Sequence, residues 1–183
     1  MNATRITMLG DSLTAGYGLR RDESLPVRLQ AELAALGTSV QVTNAGISGD
    51  TTADGLRRVD RSVPSDTRLC IVALGANDMM QGVATPTVQR NLEAILDRLA
   101  GRSIPAMICG MRAPPWLGLY AIAFDRVFAD VARERRVPFD PFLLEGVALD
   151  FRFTLPDRIH PNGPGIAKVA RRLAPQVVEA MTP

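Results

Sequence analysis

The chain has 183 residues, 46% hydrophobic and 22% charged, with a formal net charge of +2, which excludes disordered and collagen-like classes and fits one domain spanning 1–183. Its two cysteines, Cys70 and Cys109, lie in apolar runs and its only histidine is His160, so neither a disulfide scaffold nor a metal centre is expected. Scattered arginines and 5% aromatics argue against nucleic acid as a partner, and no apolar run is long enough for a membrane span.

"RITMLG" (5–10) opens the chain as a buried strand and runs into "DSLTAGYGL", a glycine-bounded turn carrying Asp11 and Ser12. Leu25, Leu29, Leu33 and Leu36 recur at helical spacing over 25–36. "SVQVTNAG" (39–46) reads as the second strand and 52–63 as the next helix. "LCIVALGAND" (69–78) is the third strand with its loop, followed by a helix over 86–100. "IPAMICGMRAP" (104–114) and "VPFDPF" (137–142) supply strands four and five, with helices over 118–135 and 164–181. Arg133, Arg135 and Arg136 read as the solvated end of one of these helices, and Met107, Met111, Phe124 and Phe128 as core. Five strand–helix repeats predict an α/β fold, a parallel sheet of about five strands with helices on both faces. Ligands of such sheets bind outside the carboxyl ends of the strands.

The polar residues gather at those ends. Ser12 follows strand one, Gly46 strand two, Asn77 and Asp78 strand three, while Asp157 and His160 precede the last helix. A serine hydroxyl needs a base, and an imidazole is the side chain suited to that task at neutral pH. Asp157, three residues before His160, can fix the imidazole tautomer. Acyl transfer also needs donors for an oxyanion, and the Ser12 N–H, the Gly46 N–H and the Asn77 amide are candidates. Each residue has a plainer reading by itself: Ser12 as a helix cap, Gly46 as a permissive turn, Asn77 and His160 as turn residues.

Taken in order, "GDSL" (10–13), "NAGISG" (44–49), "GAND" (75–78) and "DRIHPNG" (157–163) resemble the four blocks of the GDSL, or SGNH, hydrolase family. The flanking "GDSLTAGYGL", "GISGDTTADGLRR", "FLLEGVA" and "IHPNGPG" are similar to the small bacterial arylesterases and lysophospholipase/acyl thioesterases. The resemblance implies a three-layer, flavodoxin-like sandwich. It further implies Ser12 as nucleophile, His160 as base, Asp157 as its partner, and Ser12, Gly46 and Asn77 as the oxyanion hole, with Asp11 supporting the Ser12 loop and no cofactor. Trp116 stands where relatives often carry asparagine, and with Leu117, Leu119 and Tyr120 it is expected to form an apolar lip that reshapes the acyl pocket.

The expected partner is a small ester or thioester. The alternatives are a carbohydrate O-acetylesterase and, in a different class, a non-catalytic phosphate- or nucleotide-binding module. The latter lacks both G-x-x-x-x-G-K-[ST] and G-x-G-x-x-G in its first loop. Oligomeric state is left open, and so is compartment: cytoplasmic if Met1 is the native start, periplasmic or secreted if a leader has been removed.

Overall fold

The first apolar run becomes β1 (Thr4–Gly10), around which this computed structural model, describing residues 4–182, is assembled. Ile6, Met8 and Leu9 are fully buried, as is Thr7, whose hydroxyl shares a 2.8 Å hydrogen bond with that of Thr67. Burial on both faces is what an inner strand of a parallel sheet requires. β2 (Val40–Gly46) and β3 (Thr67–Ala73) flank β1 in parallel, with Gly10 in register with both Gly46 and Ala73. β4 (Ala106–Cys109) and β5 (Phe139–Asp140) complete the order β2-β1-β3-β4-β5, all pairings parallel. β2 is an edge strand and alternates accordingly, Val40 and Val42 buried and Gln41 exposed.

The connections are helical. α1 (Ser12–Ala15) and α2 (Leu25–Ala35) lead from β1 to β2, and α3 (Thr52–Ser62) leads from β2 to β3. α4 (Ala76–Met80) and α5 (Thr85–Gly101) lead to β4, α6 (Leu119–Arg135) leads to β5, and α7 (Gly163–Met181) ends the fold. α2 packs with α7, while α5 packs between α3 and α6, so helices cover both faces as right-handed crossovers demand. Phe124 and Phe128 meet edge to face at 5.2 Å in the core, with Met107 and Met111 also buried. Cys70 and Cys109 are buried free thiols. Among the described residues no helix is long and apolar enough to cross a membrane.

The last strands are shorter than their apolar runs predict. β5 is held to two residues because Pro138 and Pro141 bracket it and offer no N–H to a ladder. β3 stops at Ala73 because the chain turns at Gly75, φ +127°, into α4, a short helix absent from the periodicity. Buried Asp140 binds both terminal nitrogens of Arg172 of α7 at 2.6 and 2.8 Å, and Arg172 also donates to the Phe142 and Leu143 carbonyls, which pins the last helix, and the start of the loop before it, to the sheet.

Candidate active site

The strand order reverses between β1 and β3, the switch point where doubly wound sheets open a crevice. Ser12 leaves β1 beside that point, and Asn77 leaves β3 on its other side. Asp11, not Ser12, caps α1: its Oδ1 accepts the Leu13 N–H at 3.0 Å. Ser12 is therefore the first helical residue, and its own N–H has no acceptor among the described residues. α1 ends after four residues at Gly16, φ +88°, so the helix is too short for a large dipole and the Ser12 N–H counts as a single donor.

His160 arrives from a loop 148 positions away. Its Nε2 lies 3.1 Å from Ser12 Oγ, and its Nδ1 lies 2.6 Å from Asp157 Oδ2. The other oxygen of Asp157 accepts the N–H groups of Ile159 and His160 at 2.9 and 3.0 Å. These bonds, that of Ile159 foremost and then the His160 ring, hold the Asp157 carboxyl down to about 2. The loop is braced by Leu155 N–H donating to His160 O at 2.7 Å and by a bridge between Thr154 and Pro161. Asn162 caps α7 through its side-chain oxygen and gives its amide to the Arg152 and Thr154 carbonyls. The Tyr17 ring covers the imidazole, centroids 4.4 Å apart.

Asn77 is buried in α4, and its Nδ2 donates to the Asp50 carbonyl at 2.9 Å and, at a long 3.4 Å, to Asp11 Oδ2. Asp11 itself is fully buried, and loss of water pushes its carboxyl up to about 6. Asp78 accepts the Thr52 N–H and hydroxyl at 2.8 and 2.6 Å, tying α4 to the start of α3.

Two expectations need correction. Gly46 does not offer its N–H to the crevice, because that group donates to Asn44 Oδ1 at 2.9 Å, and a side chain there would run into the backbone of Thr14 and Ala15. The signal was present in the sequence: an asparagine side chain readily bonds the backbone two residues on. Gly49, three residues later, has φ +89° and an N–H without an acceptor among the described residues, and it precedes the Asp50 carbonyl that holds Asn77. The second concerns the lip. A chamber of about 130 Å³ beside Ser12 and His160 is walled by Leu13, Met79, Met111, Phe142, Leu144 and Ile159. Trp116, 76% exposed, lines a neighbouring groove of about 480 Å³ that shares Arg112, Phe142, Leu144 and Ala148 with the chamber. Leu117, Leu119 and Tyr120 line neither: the turn at Gly118, φ +58°, leaves Leu119 exposed, and Tyr120 donates its hydroxyl to Val83 O. A larger hollow of about 580 Å³ lies between α5 and the start of β4, at the sheet end opposite Ser12.

Comparison with known proteins bears on the same residues. Positions 8–168 match the GDSL-like lipase/acylhydrolase family, a span that begins in β1 and ends just beyond the His160 loop. The chain belongs to that family. This GDSL hydrolase is 34% identical over 161 residues to Esterase TesA of Pseudomonas aeruginosa, covering 87% of this chain and 80% of the relative. It is 31% identical over 177 residues to thioesterase 1/protease 1/lysophospholipase L1 of Escherichia coli, covering 96% and 84%. The crystal structure of AlinE4, an SGNH-hydrolase family esterase, superposes with a TM-score of 0.82 at 37% identity over 100% of this chain and 99% of that one. The protein is thus a serine esterase with the SGNH hydrolase fold, and the nucleotide-binding alternative is set aside.

Proposed function

We propose that this esterase cleaves carboxylic esters and acyl thioesters through an acyl-enzyme on Ser12, and that a single domain spanning 1–183 supplies every group required. The observation that carries the reading is the unbroken chain Ser12 Oγ, His160, Asp157 at 3.1 and 2.6 Å. His160 Nε2 takes the hydroxyl proton as Ser12 attacks the acyl carbon, and the developing imidazolium is matched by Asp157. Charge on the carbonyl oxygen is met by the Ser12 N–H, the Gly49 N–H and the amide hydrogen of Asn77 that Asp11 holds only at 3.4 Å. His160 then gives its proton to the leaving alcohol or thiol. In the second half it takes a proton from water, which attacks the acyl-enzyme, and returns that proton to Ser12 Oγ as the acyl–oxygen bond breaks and the acid leaves. Asp11 supports the Ser12 turn, and Asp78 does not take part in the chemistry.

The acyl group occupies the apolar chamber, and longer chains continue into the groove beyond Arg112. The relatives' names, esterase, arylesterase and thioesterase/lysophospholipase, support aryl esters, acyl thioesters and lysophospholipid-like molecules as substrates. A panel of nitrophenyl esters from acetate upward, an acyl thioester and an acetylated sugar tests this. We expect kcat/KM to rise beyond acetate, and Ser12→Ala to lose about 10⁴-fold or more in kcat with its fold retained. Fastest turnover of the acetylated sugar moves the assignment to a carbohydrate O-acetylesterase, and full activity of Ser12→Ala overturns the mechanism.

A further inference from the structure

α3 buries one stripe of residues, Thr52, Gly55, Arg58 and Val59, and the charged member of that stripe needs a reason. Its neighbour Arg57 is exposed and pairs with Asp54 on the helix surface, whereas Arg58 is 3% exposed. A guanidinium out of water requires partners for its N–H groups. Arg58 has three. Nε donates to Asp50 Oδ2 at 2.6 Å, Nη1 to the Ala45 carbonyl at 2.8 Å, and Nη2 to the Gly10 carbonyl at 2.8 Å.

Those acceptors belong to three different segments. Gly10 ends β1 and stands two residues before Ser12, Ala45 is the penultimate residue of β2 before the Gly49 loop, and Asp50 follows Gly49 directly. The Asp50 carbonyl in turn receives the Asn77 amide at 2.9 Å. Every oxyanion donor named above is therefore within two residues of, or hydrogen-bonded to, a residue that Arg58 holds, and the Gly49 loop is held on both sides, at Ala45 and Asp50. Donors stabilise an oxyanion only at 2.7–3.1 Å from its position, and displacement by about half an ångström forfeits much of the effect. The Asp50 charge neutralises the guanidinium, so the contribution is one of spacing. A planar fork reaches acceptors spread around its edge from three separate nitrogens, whereas an ammonium donates from one point.

We propose that Arg58 is a positioning residue for the hydrolysis: its buried guanidinium sets the spacing of the Ser12, Gly49 and Asn77 donors. This rests on the reading of Ser12 as nucleophile. It is tested with Arg58→Lys and Asp50→Asn in the full chain, by measuring kcat, KM and the rate of Ser12 phosphonylation per site titrated with an organophosphonate. For Arg58→Lys we expect kcat per titrated site to fall about 10- to 100-fold with KM within about twofold, because the loss lies in the transition state. Phosphonylation, which passes through a similar charged geometry, is expected to slow by the same factor. Asp50→Asn keeps an acceptor but removes the charge-assisted bond, and a fall of about 3- to 10-fold is expected. Should Arg58→Lys not fold, the Asp50→Asn result decides. Unchanged kcat per titrated site with a smaller titratable fraction makes Arg58 a fold residue and overturns the proposal, as does a raised KM at constant kcat. Equal phosphonylation rates of Ser12 in wild type and variants overturn the proposal alone, whereas a wild-type label elsewhere than Ser12 overturns the nucleophile reading with it.

Discussion

The two halves of the site are built in opposite ways. Ser12 and Asn77 stand on buried ends of a parallel sheet, held by partners distant in sequence: Asn77 by Asp50 and Asp11, Thr52 by Asp78, Gly10 by Arg58. Asp157 and His160 stand on an exposed loop whose hydrogen bonds are nearly all local, spanning ten residues or fewer. Their carboxylates record the difference. Burial pushes Asp11 up to about 6, while accepted hydrogen bonds pull Asp157 down to about 2. The Ser12 half, made by tertiary packing, offers a buried surface and donors held by distant partners. The His160 half, made by local turns, delivers a preformed Asp–His pair that needs only docking.

The sharpest way to break this contrast is Asp157→Asn. The asparagine oxygen can still accept the Ile159 and His160 N–H groups, so the loop should keep its shape while the imidazole loses its charged partner. We expect kcat to fall by about 10³- to 10⁴-fold with little change in Tm. A large loss of Tm with partial activity would mean that the loop, not the charge, is the aspartate's main task. Asn77→Ala probes the other half, with an expected fall of about 10²- to 10³-fold in kcat and KM nearly constant. A rate within threefold of wild type removes Asn77 from the oxyanion site.

The smallest effect is thermodynamic and concerns Asp11. Its folded-state carboxyl at about 6 exceeds the ordinary 3.8, so the folded chain binds more protons between those values. The stability this group supplies is complete below about pH 4 and lost as pH rises through 6. Asp11→Asn imitates the protonated form and keeps an acceptor for Leu13 N–H. Relative to wild type it should be near neutral at pH 4 and more stable at pH 8, on the order of 2 kcal/mol. Thermal unfolding at the two pH values checks this, and an equal difference at both contradicts the burial penalty.

The same contrast explains what could be read from residues alone. Local features were legible: the alternation of apolar runs and helices, and the Asp157–His160 spacing that one turn closes. Tertiary features were less so. Asn44, two residues before Gly46, takes the Gly46 N–H through a local bond that the letters allow, but only the fold shows that the Gly49 N–H finds no acceptor among the described residues. Arg58 lies in an arginine pair, and nothing in the letters distinguishes the buried member from the exposed Arg57. Trp116 to Tyr120 are apolar enough for a substrate lip, yet a turn at Gly118 carries Leu119 and Tyr120 out of the chamber's wall.

The Ser12–His160 contact joins residues 148 positions apart, and it also orders events in time. The sheet takes in its fifth strand at Phe139–Asp140, so on a growing chain all five strands and the crevice they form precede His160 in synthesis. Pairings of such long range form late and slowly compared with helices. A nascent chain that has emerged only as far as β5 therefore carries Ser12, Gly49 and Asn77 without His160. Under the proposed mechanism, hydrolysis begins only when the last loop has been made and α7, pinned by Arg172 to Asp140, has docked against the sheet.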